Sequence, residues 1–190
     1  MNERISEGWE LLFSEKEINK AVAELIEELM KIDGIKNKGV VLIQILEGAK
    51  TFAKAIEDGL AANKVSVKIE SVTASSYSED PGKQGKLIVD DLENISPLGN
   101  EIRLIVDDMT DSGATMKEVA GKIKTIAQTA PVFSVVLLEK LATNFHADYL
   151  AIEQATDKWI AGFGANGNAT EDLGLDDGRG LPFIIAKKTT

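Results

Sequence analysis

Two adjacent carboxylates, Asp107 and Asp108, follow an apolar run of Ile102, Leu104, Ile105 and Val106, and precede the polar stretch Asp111-Ser112-Gly113-Ala114-Thr115. Small polar residues between a strand and a helix aim several backbone N–H groups at one point, at the positive end of the helix. Gly113 and Ala114 keep side chains out of the way, while Ser112 and Thr115 add hydroxyl donors. The loop is therefore a cup for one phosphate group. The carboxylates repel phosphate but suit sugar hydroxyls, or a metal ion held by those hydroxyls. Together they ask for a phosphorylated sugar. A P-loop is the competing reading, but it needs G-x-x-x-x-G-K-[ST], and no such Lys follows Gly113.

Alternating strands and helices must carry these residues. Ser14 to Ile32 reads as a helix, with Ser14 as N-cap, Glu17 at the capping-box position and Asp33-Gly34 at its end. Val40 to Leu46 is a β-branched run expected as a buried strand. It ends in Glu47-Gly48-Ala49, ahead of a helix carrying Phe52, Ala53, Ile56 and Leu60. Val65 to Thr73 reads as a strand, Ser75-Ser76-Tyr77 as the start of a polar loop, and Leu87 to Leu92 as the returning strand. Val132 to Leu138 is a further buried strand, with Lys140 near its end, where a Lys alone is ordinarily solvated. Tyr149 to Ile152 and Phe183 to Ala186 are short strands, and His146 falls in a polar surface stretch. The pattern predicts an α/β fold with a mostly parallel sheet, whose ligands bind at the carboxyl ends of the strands.

Composition narrows the class. At 190 residues, with 44% hydrophobic and 27% charged residues, the chain reads as one globular domain, 1–190. No apolar run is long enough for a membrane-spanning helix, and the start MNERISEGWE does not resemble a signal peptide. The absence of cysteine rules out disulfides and thiol catalysis and fits a cytoplasmic protein. A net charge of −10 argues against a general nucleic-acid surface. Any site for a polyanion must therefore concentrate its cations locally or recruit Mg²⁺.

LIVDDMTDSGAT resembles the phosphoribosyl pyrophosphate (PRPP) motif of type I phosphoribosyltransferases, and the similarity to the hypoxanthine-guanine branch runs from about Phe13 to Ile185. The resemblance implies a mostly parallel sheet flanked by helices, a small hood and a flexible lid loop that includes Ser76 and Tyr77. It implies transfer of ribose 5-phosphate from PRPP to a 6-oxopurine, with Mg²⁺ as cofactor and a homodimer or homotetramer as the assembly. It assigns Asp107 and Asp108 to the ribose and, through its hydroxyls or water, to the metal. Asp111 to Thr115 hold the 5-phosphate, with Asp111 also the general base. Glu47, Gly48 and Arg179 meet the pyrophosphate, although Glu47 stands where a Lys is common. Lys140 donates to the purine's oxo group, Trp159 stacks on its ring, and Ile160 lines its pocket. Asn166 occupies a position where an Asp binds Mg²⁺. The Arg179-Gly180-Leu181-Pro182 match comes late, after an inserted segment 167–178 in which Asp172, Asp176 or Asp177 offers the missing carboxylate. Two alternatives stay open: a phosphoribosyltransferase for another base, such as the xanthine-guanine type, and a non-catalytic PRPP or nucleotide sensor on the same fold.

Overall fold

The computed structural model describes residues 5, 7–77, 86–92, 95, 99–127, 130–141, 143, 145–153, 157–165 and 178–188. In chain order the elements are β1 (Trp9–Phe13), α1 (Glu15–Leu29), α2 (Ile35–Lys38), β2 (Val40–Leu46), α3 (Lys50–Ala62), β3 (Val67–Tyr77) and β4 (Lys86–Asp90). They continue with β5 (Ile102–Thr110), α4 (Ala114–Ala127), β6 (Val132–Glu139), β7 (Tyr149–Glu153), β8 (Ile160–Ala161) and β9 (Ile184–Lys187). A six-stranded sheet runs β4-β3-β2-β5-β6-β7. Its pairs are parallel except β3–β4. A small antiparallel sheet, β1-β9-β8, forms the hood.

Alternation along the central strands builds two cores. Val40 and Leu42 of β2, with Leu104 and Val106 of β5, face α1 and α3. Val41, Ile43 and Ile105 face Met116, Val119 and Ile123 of α4. Both faces of the parallel strands are therefore covered, which explains why β2 reads as an unbroken apolar run. The chain winds from β2 outward to β3, and from β5 outward the other way to β6 and β7. The direction of winding thus reverses between β2 and β5, and an open α/β sheet places its ligand crevice beyond the strand ends at such a point.

Helix α1 begins where the sequence predicts. The Ser14 Oγ accepts from the Glu17 N–H at 3.4 Å, and the Glu17 carboxylate accepts from the Ser14 N–H at 2.9 Å. Ile18, Val22, Leu25, Ile26 and Leu29 form its buried stripe. Gly59 lets α1 approach α3, because a Cβ there would lie 1.9 Å from Ile26 Cδ1.

Three expectations are corrected, and one strand was not foreseen. Helix α1 stops at Leu29 rather than Ile32, and the short helix α2 intervenes before β2. Strand β5 continues through Asp107 and Asp108 to Thr110, because its ladder with β6 persists to Thr110↔Glu139. Ser76 and Tyr77 end β3 instead of opening a loop, their backbones pairing with Leu87 and Lys86. Strand β1 was not foreseen: its partner β9 lies at the far end of the chain, so no local pattern announces it.

Substituting Ser14→Ala removes the reciprocal cap and should cost about 1 kcal/mol, lowering the melting temperature by about 2–4 °C for a chain of this size. Thermal melts of the two proteins check this, and an unchanged midpoint would show that the cap contributes nothing.

Candidate active site

Three loops meet at the carboxyl ends of β2 and β5. The first follows β2, where the Leu46–Glu47 peptide is cis. Gly48 in this loop lies against Asp108: a Cβ on it would fall 2.5 Å from the Asp108 carboxylate. The second follows β8. Its Gly164 has φ +101°, and a Cβ there would stand 2.2 Å from the Gly48 carbonyl oxygen. Two glycines thus let two backbones close on one carboxylate. Arg179 is fastened to the same place: the Gly164 N–H donates to the Arg179 carbonyl at 2.9 Å, and the Arg179 Nε donates to the Gly164 carbonyl at 3.1 Å. A cavity of about 250 Å³ opens here, lined by Glu47, Lys50, Thr51, Gly164, Arg179 and Gly180.

The third loop follows β5. Asp111, Ser112 and Gly113 lead into α4, so Ala114 and Thr115 belong to the first helical turn. Gly113 has φ +75° and packs where a Cβ would fall 2.1 Å from Phe145 Cβ, which pins the loop against the β6–β7 connection. The Ser112 Oγ accepts from the Ala114 N–H at 3.4 Å. A second cavity, of about 120 Å³, is lined by Asp107 and the run from Met109 to Met116. The first-turn N–H groups of a helix have no intrahelical acceptor, so this cup offers donors to an anion.

Asp107 and Asp108 stand between these cavities. Asp107 lines the second, and Asp108 touches the loop that lines the first. Burial pushes the Asp107 carboxyl well above the usual carboxylate range, and repulsion from Asp108 adds to it. Burial also pushes Asp108 up, against the opposing pull of hydrogen bonds from Asp107 and the backbone and of the Arg179 charge. The Asp107 carboxylate accepts from the Asp108 N–H at 3.0 Å. Two neighbouring carboxyls cannot both ionise cheaply in such a place, so the pair favours a shared proton or a nearby cation.

The base-side residues divide. Lys140 is buried, and its Nζ lies 3.5 Å from the Asp111 carboxylate, which is itself 67% exposed. These two side chains therefore reach one place from β6 and β5. Trp159 is 52% exposed, while its carbonyl accepts from the Lys187 N–H at 2.8 Å. A ring this large, left open and anchored through its backbone, is available for stacking. Ile160, next to Trp159, is 1% exposed and belongs to the main core. His146 is exposed, as expected, beside Glu139.

Glu47 does not point a lone carboxylate at the first cavity. It pairs with Lys50 at 2.5 Å. Lys50, Thr51 and Gly164 were missed by sequence reasoning. The available signal was the three-residue spacing from Glu47 to Lys50 across a helix start, which brings such side chains together. Asn166, Asp172, Asp176 and Asp177 lie outside the described residues. Among the described residues no three His, Cys, Asp or Glu side chains cluster as a metal site, and no helix is long and apolar enough to cross a membrane.

Comparison with known proteins agrees with this arrangement. Residues 8–167 match the family described as phosphoribosyl transferase domain. The chain is 31% identical over 159 residues to the hypoxanthine phosphoribosyltransferase of Buchnera aphidicola, covering 81% of this chain and 85% of that protein. It is 30% identical over 178 residues to the hypoxanthine-guanine phosphoribosyltransferase of Aquifex aeolicus, covering 92% of each. Among solved structures, the hypoxanthine phosphoribosyltransferase of Trypanosoma cruzi in complex with the product IMP superposes with a TM-score of 0.77, at 25% identity over 97% of each chain.

The acid pair makes a pH-dependent prediction. A carboxyl whose pKa is raised on folding carries no penalty where both states are protonated; the penalty grows as pH rises from the ordinary carboxylate range to the folded value and is constant above it. Asp107→Asn should therefore melt higher than the wild type at pH 8 in EDTA, with the difference shrinking toward pH 3. A variant that melts lower at pH 8 would contradict the electrostatic account.

Proposed function

The chain belongs to the phosphoribosyltransferase family, and from that premise we propose how its own residues perform the reaction of a hypoxanthine or hypoxanthine-guanine phosphoribosyltransferase. The ring nitrogen at position nine of a 6-oxopurine attacks the anomeric carbon of PRPP. The bond from that carbon to the pyrophosphate oxygen breaks, and the purine gives up its proton. The products are a purine nucleotide and pyrophosphate. The observation that carries this reading is the placement of the acid pair between two cavities, Asp107 lining one and Asp108 abutting the loop of the other. A ligand that fits has a phosphate at one end, hydroxyls in the middle and a polyanion at the other end. PRPP has that layout.

In this reading the 5-phosphate rests on the loop from Asp111 to Thr115. Asp107 and Asp108 accept hydrogen bonds from the ribose hydroxyls, and their negative charge stabilises the positive charge that develops at the anomeric carbon. Asp111 takes or shares the proton of the purine's imidazole ring. Lys140 is a donor only, so it favours an oxo group over an amino group at the purine's six-position. The 3.5 Å approach of its Nζ to Asp111 supports placing one purine against both. Trp159 stacks on the base. Much of the rate then comes from holding the two reactants in line.

Mg²⁺ fits the donor set. It keeps several waters and binds through one or two carboxylates together with substrate oxygens, and Asp107 and Asp108 offer two carboxyls of raised proton affinity that gain from a nearby cation. Those two residues would hold it, directly or through ribose hydroxyls, and when bound it neutralises charge on the pyrophosphate. The assembly we propose is a homodimer or homotetramer.

The test is PRPP-dependent nucleotide formation with Mg²⁺, offering hypoxanthine, guanine, xanthine and adenine separately. Turnover of hypoxanthine or guanine above adenine is expected. Binding of PRPP without turnover of any base would instead identify a sensor. Asp111→Ala should lower kcat/KM for the purine by about 10²–10⁴-fold. Trp159→Ala should raise KM for the base by about tenfold, the loss expected for one stacking face, and unchanged base kinetics would remove Trp159 from the site.

A further inference from the structure

The cavity after β2 departs from the character of the chain. The whole protein carries a net charge of −10, yet among the described residues the charged side chains lining this cavity are Lys50 and Arg179 against Glu47. The Thr51 hydroxyl adds a further donor. The lone anion is not directed at an incoming ligand, because the Glu47 carboxylate is held by the Lys50 ammonium at 2.5 Å. Both side chains are about half exposed, at 53% and 55%, so this pair can open without unpacking the core. A carboxylate cannot accept a hydrogen bond from a fully ionised pyrophosphate oxygen, so Glu47 cannot be the group that grips it. An ammonium one helical turn away can.

On the reading that the chain binds PRPP, we propose that Lys50 is the side chain that receives the pyrophosphate, and that Glu47 is its resident counter-ion, exchanged for the ligand on binding. Arg179 receives the same group from the opposite wall, where its tie to Gly164 fixes its position. Glu47 is then a positioning residue. In the free protein it holds the Lys50 chain at the cavity mouth, and it competes with the ligand for the same charge. Pyrophosphate must outbid one surface ion pair, a weak competitor because both partners are solvated. The cis peptide loop therefore contributes its backbone and Gly48 to the site, while the cation comes from the first turn of α3.

Calorimetric titration of the full chain with inorganic pyrophosphate and with PRPP, each with Mg²⁺, tests this, alongside turnover of the preferred base. Lys50→Met should raise both dissociation constants and KM for PRPP about tenfold, the loss of one charge-assisted hydrogen bond. KM for the base should change much less. Lys50→Arg should recover most of the binding. Glu47→Gln should tighten pyrophosphate by about threefold, since it frees Lys50 and removes a repulsive charge. A Lys50→Met protein whose PRPP and pyrophosphate constants rise less than threefold, while the wild type turns over its base, overturns this assignment and leaves the reaction standing. A Glu47→Gln protein weakened as much as Lys50→Met overturns it too, by showing that the pair is a structural tether. A wild-type chain that binds neither PRPP nor pyrophosphate overturns the assignment and the reaction together.

Discussion

Two adjacent carboxyls, Asp107 buried and Asp108 half-buried, near the end of a central strand are the constraint around which this molecule is built. In isolation the arrangement opposes itself: burial disfavours each charge, and the Asp108 charge disfavours that of Asp107. It persists because strand β5 is locked on both sides by parallel ladders, with β2 as far as Val106 and with β6 as far as Thr110. The surroundings then give the charges something to face. Arg179 lowers the cost for Asp108, and the Asp108 N–H serves Asp107. Groups with raised proton affinity in a cleft are often functional, and here geometry supports that reading.

Topology supplies the rest. The reversal of winding between β2 and β5 leaves their loops unroofed by a connecting helix, so three loops converge there. Convergence alone would leave them too far apart. Gly48 and Gly164 remove the side chains that would keep backbone from carboxylate, and Gly113 does the same between the β5 loop and Phe145. The hood brings β8 and the Arg179 turn to the crevice, and its register is set by pairing of β9 with β1 and β8. The result is a linear sequence of chemical character along the cleft: anion cup, carboxyl pair, cationic cavity.

Much of this was legible in the residues. Strand β2 runs from Val40 to Leu46, the span marked by its apolar run, because a strand buried on both faces leaves a continuous signal. The Ser14 and Glu17 cap was readable because it is local. The strand–acid–loop order of β5 was readable because the chemistry it serves is compact in sequence. Other features were not. The continuation of β5 past Asp107 and Asp108 to Thr110 is set by the β6 ladder and not by local pattern. Ser76 and Tyr77 likewise owe their extended backbone to β4. Strand β1 depends on a partner at the other end of the chain. The burial of Ile160 beside exposed Trp159 depends on the hood sheet it joins. The pairing of Lys50 with Glu47 exists only once α3 starts at Lys50.

We propose that one cleft reads a phosphate, a sugar and a pyrophosphate in that order. A crystal structure of the chain with Mg²⁺ and PRPP, or a non-hydrolysable analogue, tests it most directly. The 5-phosphate is expected on Asp111 to Thr115, the ribose hydroxyls at Asp107 and Asp108, and the pyrophosphate between Arg179 and the start of α3. A ligand bound in the reverse order, or outside the β2–β5 crevice, would contradict it.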